Sequence, residues 1–398
     1  MTCKRDHHPL MQISNIQLQI KCVRLTGRKN STILASPHSF VSHCCLMPHL
    51  FQPLRIGAWE LPNRIVMAPL TRCRADAGRV PNAMMAEYYR QRSSAGLILS
   101  EATSISPQGV GYPDTPGLWT AEQVEGWKLI TQAVHEAGGR IVAQLWHVGR
   151  ISDPHYLKGA QPVSSSAIAA SGHVSHLRPL KPYEVPRALR EDEIPGIIED
   201  YRKAAENAMA AGFDGVEIHG ANGYLPHQFL NDHINQRTDS YGGSIANRAR
   251  FILEAVDAAI SVWGPHRVGL HLSPTTSDDS DPASAYGYVA RECSNRGLAF
   301  LFVRESLEEN PRFSAGIREQ FNGAFIANQE LTRDTGNQLL ENHQADAISF
   351  GRLYIANPDL VERLAADAPL NEPDQSTFYG NGEKGYTDYP TLDQANEE

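Results

Sequence analysis

The run Gly215–Tyr224 (GVEIHGANGY) carries the side chains of this chain that are best suited to chemistry. It opens with strand-forming apolar residues and then presents His219, Asn222 and Tyr224 within six residues. A pair of hydrogen-bonding groups can hold an oxygen on which negative charge builds, and a phenol can supply a proton. The run therefore predicts a carbonyl-activating site. The structural alternative is a strand end with an Asn-Gly turn, in which His219 is a satisfied core histidine.

Eight short apolar runs after residue 50 predict the strands that position such a site. Each run is almost continuously apolar, as buried parallel strands are, and each ends in polar residues. The runs are Arg64–Leu70, Gly96–Ala102, Arg140–His147, Gly215–Ala221, Val268–Pro274, Leu298–Glu305, Gly323–Gln329 and Ala347–Arg352. Helical patterns between them lie at Ala121–Ala137, Glu191–Ala211, Ile245–Trp263 and Ala285–Arg296. The alternation predicts an α/β fold, a (β/α)8 TIM barrel that forms a single domain with capping elements.

Two segments are too long to be simple connections between these elements. Residues 148–190 are rich in Pro, Ser and Gly, and we expect them to cover the top of the barrel. Residues 366–390 form a tail rich in Gly and Tyr after the last helix.

Barrel enzymes carry their chemistry at the carboxyl ends of the strands. The residues at those ends are Thr71, Glu101, Ala102, Gln144, Trp146, His147, His219, Asn222, Tyr224, His271, Arg304, Asn328, Gly351 and Arg352. No lysine is among them, which argues against a Schiff-base aldolase. Gly351 allows close backbone approach and Arg352 can neutralise a phosphate, so the last two strands favour a phosphorylated cofactor. An ion pair of Arg352 at the surface is the structural alternative.

Three histidines end the third, fourth and fifth strands, namely His147, His219 and His271. Neutral imidazoles that converge on a barrel mouth could bind a metal, so a metal-dependent hydrolase is an alternative. It is weakened because the first strand has no inward His-x-His pair and the eighth ends without an aspartate.

Composition narrows the classes of function. The chain has 398 residues, a net charge of −9 and a pI near 6.0, which gives no reason to expect nucleic-acid binding. It contains no run of 18 apolar residues, so no membrane span is predicted. Only two of the six cysteines, Cys73 and Cys293, follow Met47. Such separated thiols predict a cytoplasmic protein with reduced cysteines and exclude an iron–sulfur cluster in the main body.

Residues 1–46 differ in composition from the rest, with six basic residues and one acid. We interpret them as an atypical extension that is disordered, or that precedes the true start at Met47. A transit peptide is the alternative. The predicted barrel domain is then 47–398.

Between Leu50 and Pro390 the chain resembles the old yellow enzymes, FMN-dependent ene-reductases built on a (β/α)8 barrel. The matching segments are Asn63–Arg72 (NRIVMAPLTR), Ala86–Arg92 (AEYYRQR), Ser100–Thr103 (SEAT), Ala143–Arg150 (AQLWHVGR), Glu217–Leu230 (EIHGANGYLPHQFL), Arg237–Arg250 (RTDSYGGSIANRAR), Phe350–Leu360 (FGRLYIANPDL) and Gly385–Pro390 (GYTDYP). The resemblance implies tightly bound, non-covalent FMN and no metal. It implies ping-pong reduction of the C=C bond of α,β-unsaturated carbonyl or nitro compounds by NADPH or NADH. The implied partner is a small electrophilic alkene, for a monomer or weak homo-oligomer.

The resemblance also implies roles for individual residues. Tyr224 matches the proton donor, and His219 and Asn222 match the pair that holds the substrate's carbonyl oxygen. The implied FMN-binding residues are Pro69, Leu70, Thr71, Ala102, Gln144, His219, His271, Asn328, Gly351 and Arg352. The implied substrate-pocket aromatics are Tyr112, Trp146 and Tyr386.

The chain departs from the family pattern on the cofactor side. His271 stands where the family usually has an arginine that reaches the flavin, and a histidine is only partly charged near neutral pH. The seventh-strand loop reads Ala327–Gln329 where glycines are common, and Ser273–Tyr286 is shorter than usual. We expect weaker FMN retention or a lower flavin potential. A degenerate flavin-binding barrel without turnover is a further alternative.

Overall fold

The eight predicted strands form a closed parallel barrel. The computed structural model describes residues 49–275 and 279–395. Its barrel strands are β1 Ile65–Met67, β2 Leu97–Leu99, β3 Ile141–Trp146, β4 Gly215–His219, β5 Val268–Leu272, β6 Phe300–Arg304, β7 Ala324–Asn328 and β8 Ala347–Phe350. Each strand pairs in parallel with the next, and β8 pairs with β1. The predicted (β/α)8 architecture is confirmed.

The observed strands are shorter than the apolar runs that predicted them. Six strands, β1 to β5 and β8, are buried along their whole length, as expected for strands covered by helices on one face and the barrel core on the other. The residues that follow each strand leave the ladder and turn across the barrel mouth. The polar groups of the predicted site lie on these residues and on the last residues of the strands, as His219 does in β4 and His271 in β5.

Helices surround the barrel on its outer face. They are α1 Ala83–Arg90, α2 Ala121–Glu136, α3 Ile194–Ala210, α4 Ile245–Trp263, α5 Pro282–Asn295, α6 Ser314–Glu319, α7 Arg333–Glu341 and α8 Leu360–Ala366. The four predicted helices correspond to α2 to α5. The start of α5 was predicted too late, at Ala285, because the Asp281 side chain caps the Ser284 amide and Pro282 occupies the first turn.

Shorter elements connect these parts. Short helices lie at Leu225–Leu230, Arg352–Ala356 and Leu392–Ala395, and 3-10 turns at Ala77–Arg79, Pro107–Gly109, Glu191–Glu193, Pro265–Arg267 and Gln375–Thr377. Two-residue strands lie at Thr103–Ser104, Val163–Ser164 and Arg187–Ala188, and the last two pair with each other.

A hairpin before β1 closes the amino-terminal end of the barrel. Its strands, Leu54–Ile56 and Trp59–Leu61, are antiparallel, and Trp59 packs against Phe300 at a ring distance of 6.4 Å. The turn residue Gly57 has a φ of 52°, and a Cβ there would collide with the carbonyl oxygen of His266. The turn therefore requires glycine. The carboxyl ends of the strands meet at the opposite end of the barrel.

Two segments border that opposite end. The connection at 148–190 reaches it through His176, whose ring lies 6.3 Å from that of Tyr112 and 4.5 Å from that of Tyr379. The C-terminal tail is tied to the loop after β1 by buried guanidinium groups. Arg72 donates to the carbonyls of Phe378 and Gly385 at 3.0 and 2.7 Å.

The predicted N-terminal segment 1–46 lies outside the described residues, so the domain boundary at Met47 stays a prediction. Within the described part of the chain, no helix combines the length and apolar composition that crossing a bilayer requires.

Candidate active site

A cavity of about 780 Å³ opens at the carboxyl ends of the strands. Eight of the predicted site residues line it, from the ends of β5 and β7 and from the loops after β1, β4 and β8: Pro69, Leu70, Thr71, Asn222, His271, Asn328, Gly351 and Arg352. The structure thus brings together residues up to 283 positions apart in sequence, Pro69 and Arg352. This grouping follows from the barrel, since all carboxyl ends of parallel strands meet at one face.

A stacked pair of imidazoles forms one side of the site. The rings of His219 and His271 lie 4.9 Å apart with an interplanar angle of 4°. Burial lowers the pKa of His219 to about 3, with smaller effects from His227 and Arg304. Burial, His219 and Arg304 also hold the pKa of His271 well below its usual value. Both imidazoles are therefore neutral at physiological pH, and each can donate from one nitrogen.

These imidazoles are not satisfied core histidines. Among the described residues, His219 Nδ1 and His271 Nε2 have no hydrogen-bond partner although both are buried. A buried polar atom without a partner is costly unless a ligand completes it. The alternative interpretation of His219, a core histidine with all its hydrogen bonds satisfied, therefore does not describe this arrangement.

A buried carboxyl, that of Glu217, lies close to this pair and is not among the predicted site residues. Gln144 Nε2 donates to Glu217 Oε2 at 2.7 Å and lies 3.2 Å from His271 Nδ1. Burial raises the pKa of Glu217 to about 8, so the carboxyl is neutral near pH 7. A charged residue inside an apolar strand, as Glu217 is in β4, was the sequence signal that could have revealed it.

Tyr224 lies in an aromatic cluster beside the imidazoles. Its hydroxyl is 2.9 Å from that of Tyr112, and its ring meets the edge of Trp146 at 5.1 Å and that of His219 at 4.9 Å. Ala102 belongs to the same cluster. Burial holds the pKa of Tyr224 well above its usual value. The phenol therefore keeps its proton and can act as a donor.

Asn222 lines the cavity and lies two residues before Tyr224 of the aromatic cluster. Its φ is 56°, a left-handed conformation that asparagine tolerates better than most residues. Its backbone N–H donates to Ser273 Oγ at 2.8 Å, and its side-chain oxygen accepts from Arg304 Nη1 at 2.9 Å. The Asn-Gly turn of the structural alternative is present. The same turn also places the Asn222 side-chain amide at the cavity wall.

The far end of the cavity carries groups suited to a phosphate. Gly351 precedes a short helix, and Arg352 is exposed at the cavity wall without an ion pair among the described residues. The loop after β7 contains Gln329 at φ 111° and Glu330 at φ 54°. The loop therefore adopts glycine-like conformations without glycine, at a strain of about 1–3 kcal/mol per residue.

Tyr386 does not line the cavity, although the family resemblance implies that it belongs to the substrate pocket. Its ring is fully buried, stacked on Tyr88 at 4.1 Å and covered by the guanidinium of Arg74 at 4.3 Å. The tail instead contributes Tyr379, half exposed, to the cavity wall. The GYTDYP segment holds the tail in place, and the preceding Phe378-Tyr379 pair was the sequence signal for the pocket.

The three histidines do not form a metal centre. His147 is fully buried and its Nδ1 accepts from the Gly149 N–H at 3.1 Å, while His219 and His271 stack on each other. No group of three or more His, Cys, Asp or Glu side chains within 49–275 and 279–395 is arranged to hold a metal ion.

The residues present fit a flat heteroaromatic ring with a phosphorylated tail. His271 Nε2 and Ser349 Oγ are buried and have no hydrogen-bond partner among the described residues, and both residues line the cavity. Arg352 offers charge at the other end. These are the groups that a flavin mononucleotide requires.

Comparisons with known proteins agree with this geometry. The family model described as NADH:flavin oxidoreductase / NADH oxidase matches residues 49–371. The chain is 46% identical over 365 residues to 12-oxophytodienoate reductase 1 of Oryza sativa subsp. japonica, covering 88% of this chain and 94% of that protein. Morphinone reductase solved with tetrahydroNAD is 50% identical with a TM-score of 0.84, covering 88% and 99% of the two chains. An old yellow enzyme homologue from Zymomonas mobilis is 47% identical with the same TM-score, covering 87% and 100%.

Proposed function

Because the chain belongs to the NADH:flavin oxidoreductase / NADH oxidase family, we propose that the cavity described above is its FMN site and that His219, Asn222 and Tyr224 carry its catalysis. The protein is an FMN-dependent oxidoreductase that uses NAD(P)H to reduce the C=C bond of electron-poor alkenes. When bound, FMN would supply the hydride-transfer chemistry that connects the nicotinamide to the alkene. The protein's own side chains must orient the alkene, stabilise its oxygen and supply a proton.

We assign the cofactor to the residues that the family resemblance implies, by the chemistry of each. Thr71, Gln144 and His271 offer hydrogen bonds toward the polar edge of a flavin ring, and Pro69, Leu70 and Ala102 offer apolar contact. Asn328, Gly351 and Arg352 lie at or near the two strand ends suited to the phosphate. This assignment is supported by the cavity itself, which is bordered by His271 and by the ends of the last two strands.

We assign the substrate's oxygen to His219 and Asn222. A neutral imidazole and a neutral amide can each donate a hydrogen bond to this oxygen. Both hydrogen bonds become stronger as negative charge develops on the oxygen. One such donor is typically worth about 3 kcal/mol in the transition state. Trp146 and Tyr112 shape the space beside them.

We assign protonation of the α-carbon to Tyr224. The high pKa of this buried phenol keeps the proton in place until a carbanion-like carbon accepts it. The Tyr112 hydroxyl at 2.9 Å can stabilise the phenolate that results. The observation that carries the proposal is this juxtaposition of two neutral donors and a protonated phenol.

Anaerobic absorbance spectroscopy tests the proposal. Purified protein should show flavin bands that bleach with NADPH and return with 2-cyclohexenone. A protein that stays colourless with added FMN would instead support the degenerate barrel.

We further propose that the enzyme acts in the cytoplasm as a monomer or weak homo-oligomer on small electrophilic alkenes. The two cysteines of the described residues, Cys73 and Cys293, are free and buried, as in a reducing compartment. Light scattering across a concentration series would reveal a stable oligomer if one forms.

A further inference from the structure

Arg304 is a charged side chain at the end of a strand that is otherwise buried. It is the last residue of β6, whose sequence is FLFVR. Its Nη1 donates to Asn222 Oδ1 at 2.9 Å and its Nε donates to Gln329 Oε1 at 2.8 Å. All three side chains line the same cavity. One guanidinium therefore links the loop after β4 to the loop after β7.

The guanidinium decides which way the Asn222 amide points. Arginine has donors and no acceptor, so only the oxygen of an amide can face it. The Asn222 oxygen is thereby occupied, and its NH2 group remains as the donor. No hydrogen bond of that NH2 is present among the described residues. An amide in the reverse orientation would face Arg304 with like donors and would present an acceptor to the substrate.

The backbone at both ends of this link is held in sparsely populated conformations. Asn222 has a φ of 56° and Gln329 a φ of 111°. Ser273 fixes the Asn222 backbone through the 2.8 Å bond. With Arg304 holding the side chain, the Asn222 amide is restrained from both sides. A restrained donor loses less freedom when a ligand binds.

We propose that Arg304 is a positioning residue that holds the Asn222 amide with its NH2 group toward the substrate, with Gln329 as its anchor. The link selects alkenes whose activating group offers an oxygen acceptor. The inference rests on the proposed role of Asn222. Arg304 itself need not touch the substrate.

A double-mutant cycle between Arg304→Met and Asn222→Ala tests the proposal on the FMN-loaded enzyme. The first readout is the rate constant for flavin reoxidation by 2-cyclohexenone after NADPH reduction. We expect Arg304→Met to lower it about ten-fold when Asn222 is present and to have an effect of less than about two-fold in the Asn222→Ala background.

The second readout needs no turnover. Cyclohexanone has the carbonyl oxygen without a reducible C=C bond. Its affinity for the oxidised enzyme therefore depends on the hydrogen bond from the Asn222 NH2 group. We expect Arg304→Met to weaken that binding about ten-fold, the equivalent of one good hydrogen bond, and again only when Asn222 is present. The matched control is Arg312→Met, which removes a guanidinium paired with Glu305 beyond the same strand. It should leave both readouts unchanged.

An equal loss from Arg304→Met in both backgrounds would overturn the proposal, because Arg304 would then act independently of Asn222. If Arg304→Met folds poorly, Arg304→Lys gives the same comparison, since one ammonium cannot bridge both amides as the planar fork does. If wild-type flavin is not reoxidised by the enone, the proposed function fails, and the cyclohexanone cycle still decides the role of Arg304.

Discussion

The buried carboxyl of Glu217 makes the stability of this enzyme depend on pH in a direction that can be tested. In the folded chain it keeps its proton up to about pH 8, whereas a glutamate in the unfolded chain loses it above about pH 4.5. Between those values folding takes up a proton, so the free energy of unfolding falls as pH rises. The slope is about 1.4 kcal/mol per pH unit and fades above pH 8. Between pH 6.5 and 8.5 the expected loss is about 2 kcal/mol.

The substitution Glu217→Gln replaces the protonated acid with an amide of the same shape. The amide oxygen can still accept from Gln144, as Oε2 does at 2.7 Å. We therefore expect the variant to lack this pH dependence, so that its stability advantage over wild type grows by about 2 kcal/mol between pH 6.5 and pH 8.5. Other titrating groups, including Glu101 with its pKa near 7, contribute equally to both proteins.

Urea denaturation of both FMN-saturated proteins at the two pH values measures this difference. Glu60→Gln is the matched control, because Glu60 is exposed in the N-terminal hairpin and should follow the wild-type curve. Parallel pH profiles for Glu217→Gln and wild type would refute the reasoning. They would mean that the Glu217 carboxyl is ionised and solvated, or paired, in the folded enzyme.

Three further predictions follow from the site. Tyr224→Phe should slow enone reduction about 100-fold, while flavin reduction by NADPH persists. This is the lower end of the effect of losing a general acid, because the Tyr112 hydroxyl is adjacent. Equal slowing of both half-reactions would contradict the assignment. His271→Arg should strengthen FMN retention and raise the flavin potential, since it introduces a fixed positive charge. Fluorescence titration would measure FMN affinity and redox titration the potential. No change in either would contradict the hypothesis. Glu330→Gly should raise the free energy of unfolding by about 1 kcal/mol in denaturant titrations, because its φ of 54° suits glycine; a destabilised variant would show that the loop is not strained there.

The barrel and most of its site residues could be predicted from the sequence because burial leaves a simple pattern. Strands covered on both faces are continuously apolar, and a polar residue directly after such a run marks a strand end. His271 and Asn328 were identified at strand ends in this way. The helix Ile245–Trp263 has the predicted bounds because Ser244 caps it and Gly264 ends it.

The contacts that depend on three-dimensional placement could not be predicted. Arg304 and Asn222 are 82 residues apart, and their hydrogen bond depends on how two non-adjacent strands are staggered. The C-terminal tail has no helical or alternating periodicity, so its sequence does not show whether Tyr379 or Tyr386 faces the cavity. Tyr386 is buried and Tyr379 is not because carbonyls around them are bound by Arg72 and Arg74.

Those same guanidinium groups constrain the order in which the protein can mature during synthesis. Arg72 emerges from the ribosome long before its carbonyl acceptors, which follow 306 and 313 residues later. Until they arrive, its buried position would hold a cation without partners, which is unfavourable enough to keep that region open. Tyr379 reaches the cavity wall only with the same tail. The nascent chain therefore completes its flavin pocket only after the barrel and the tail have both been translated.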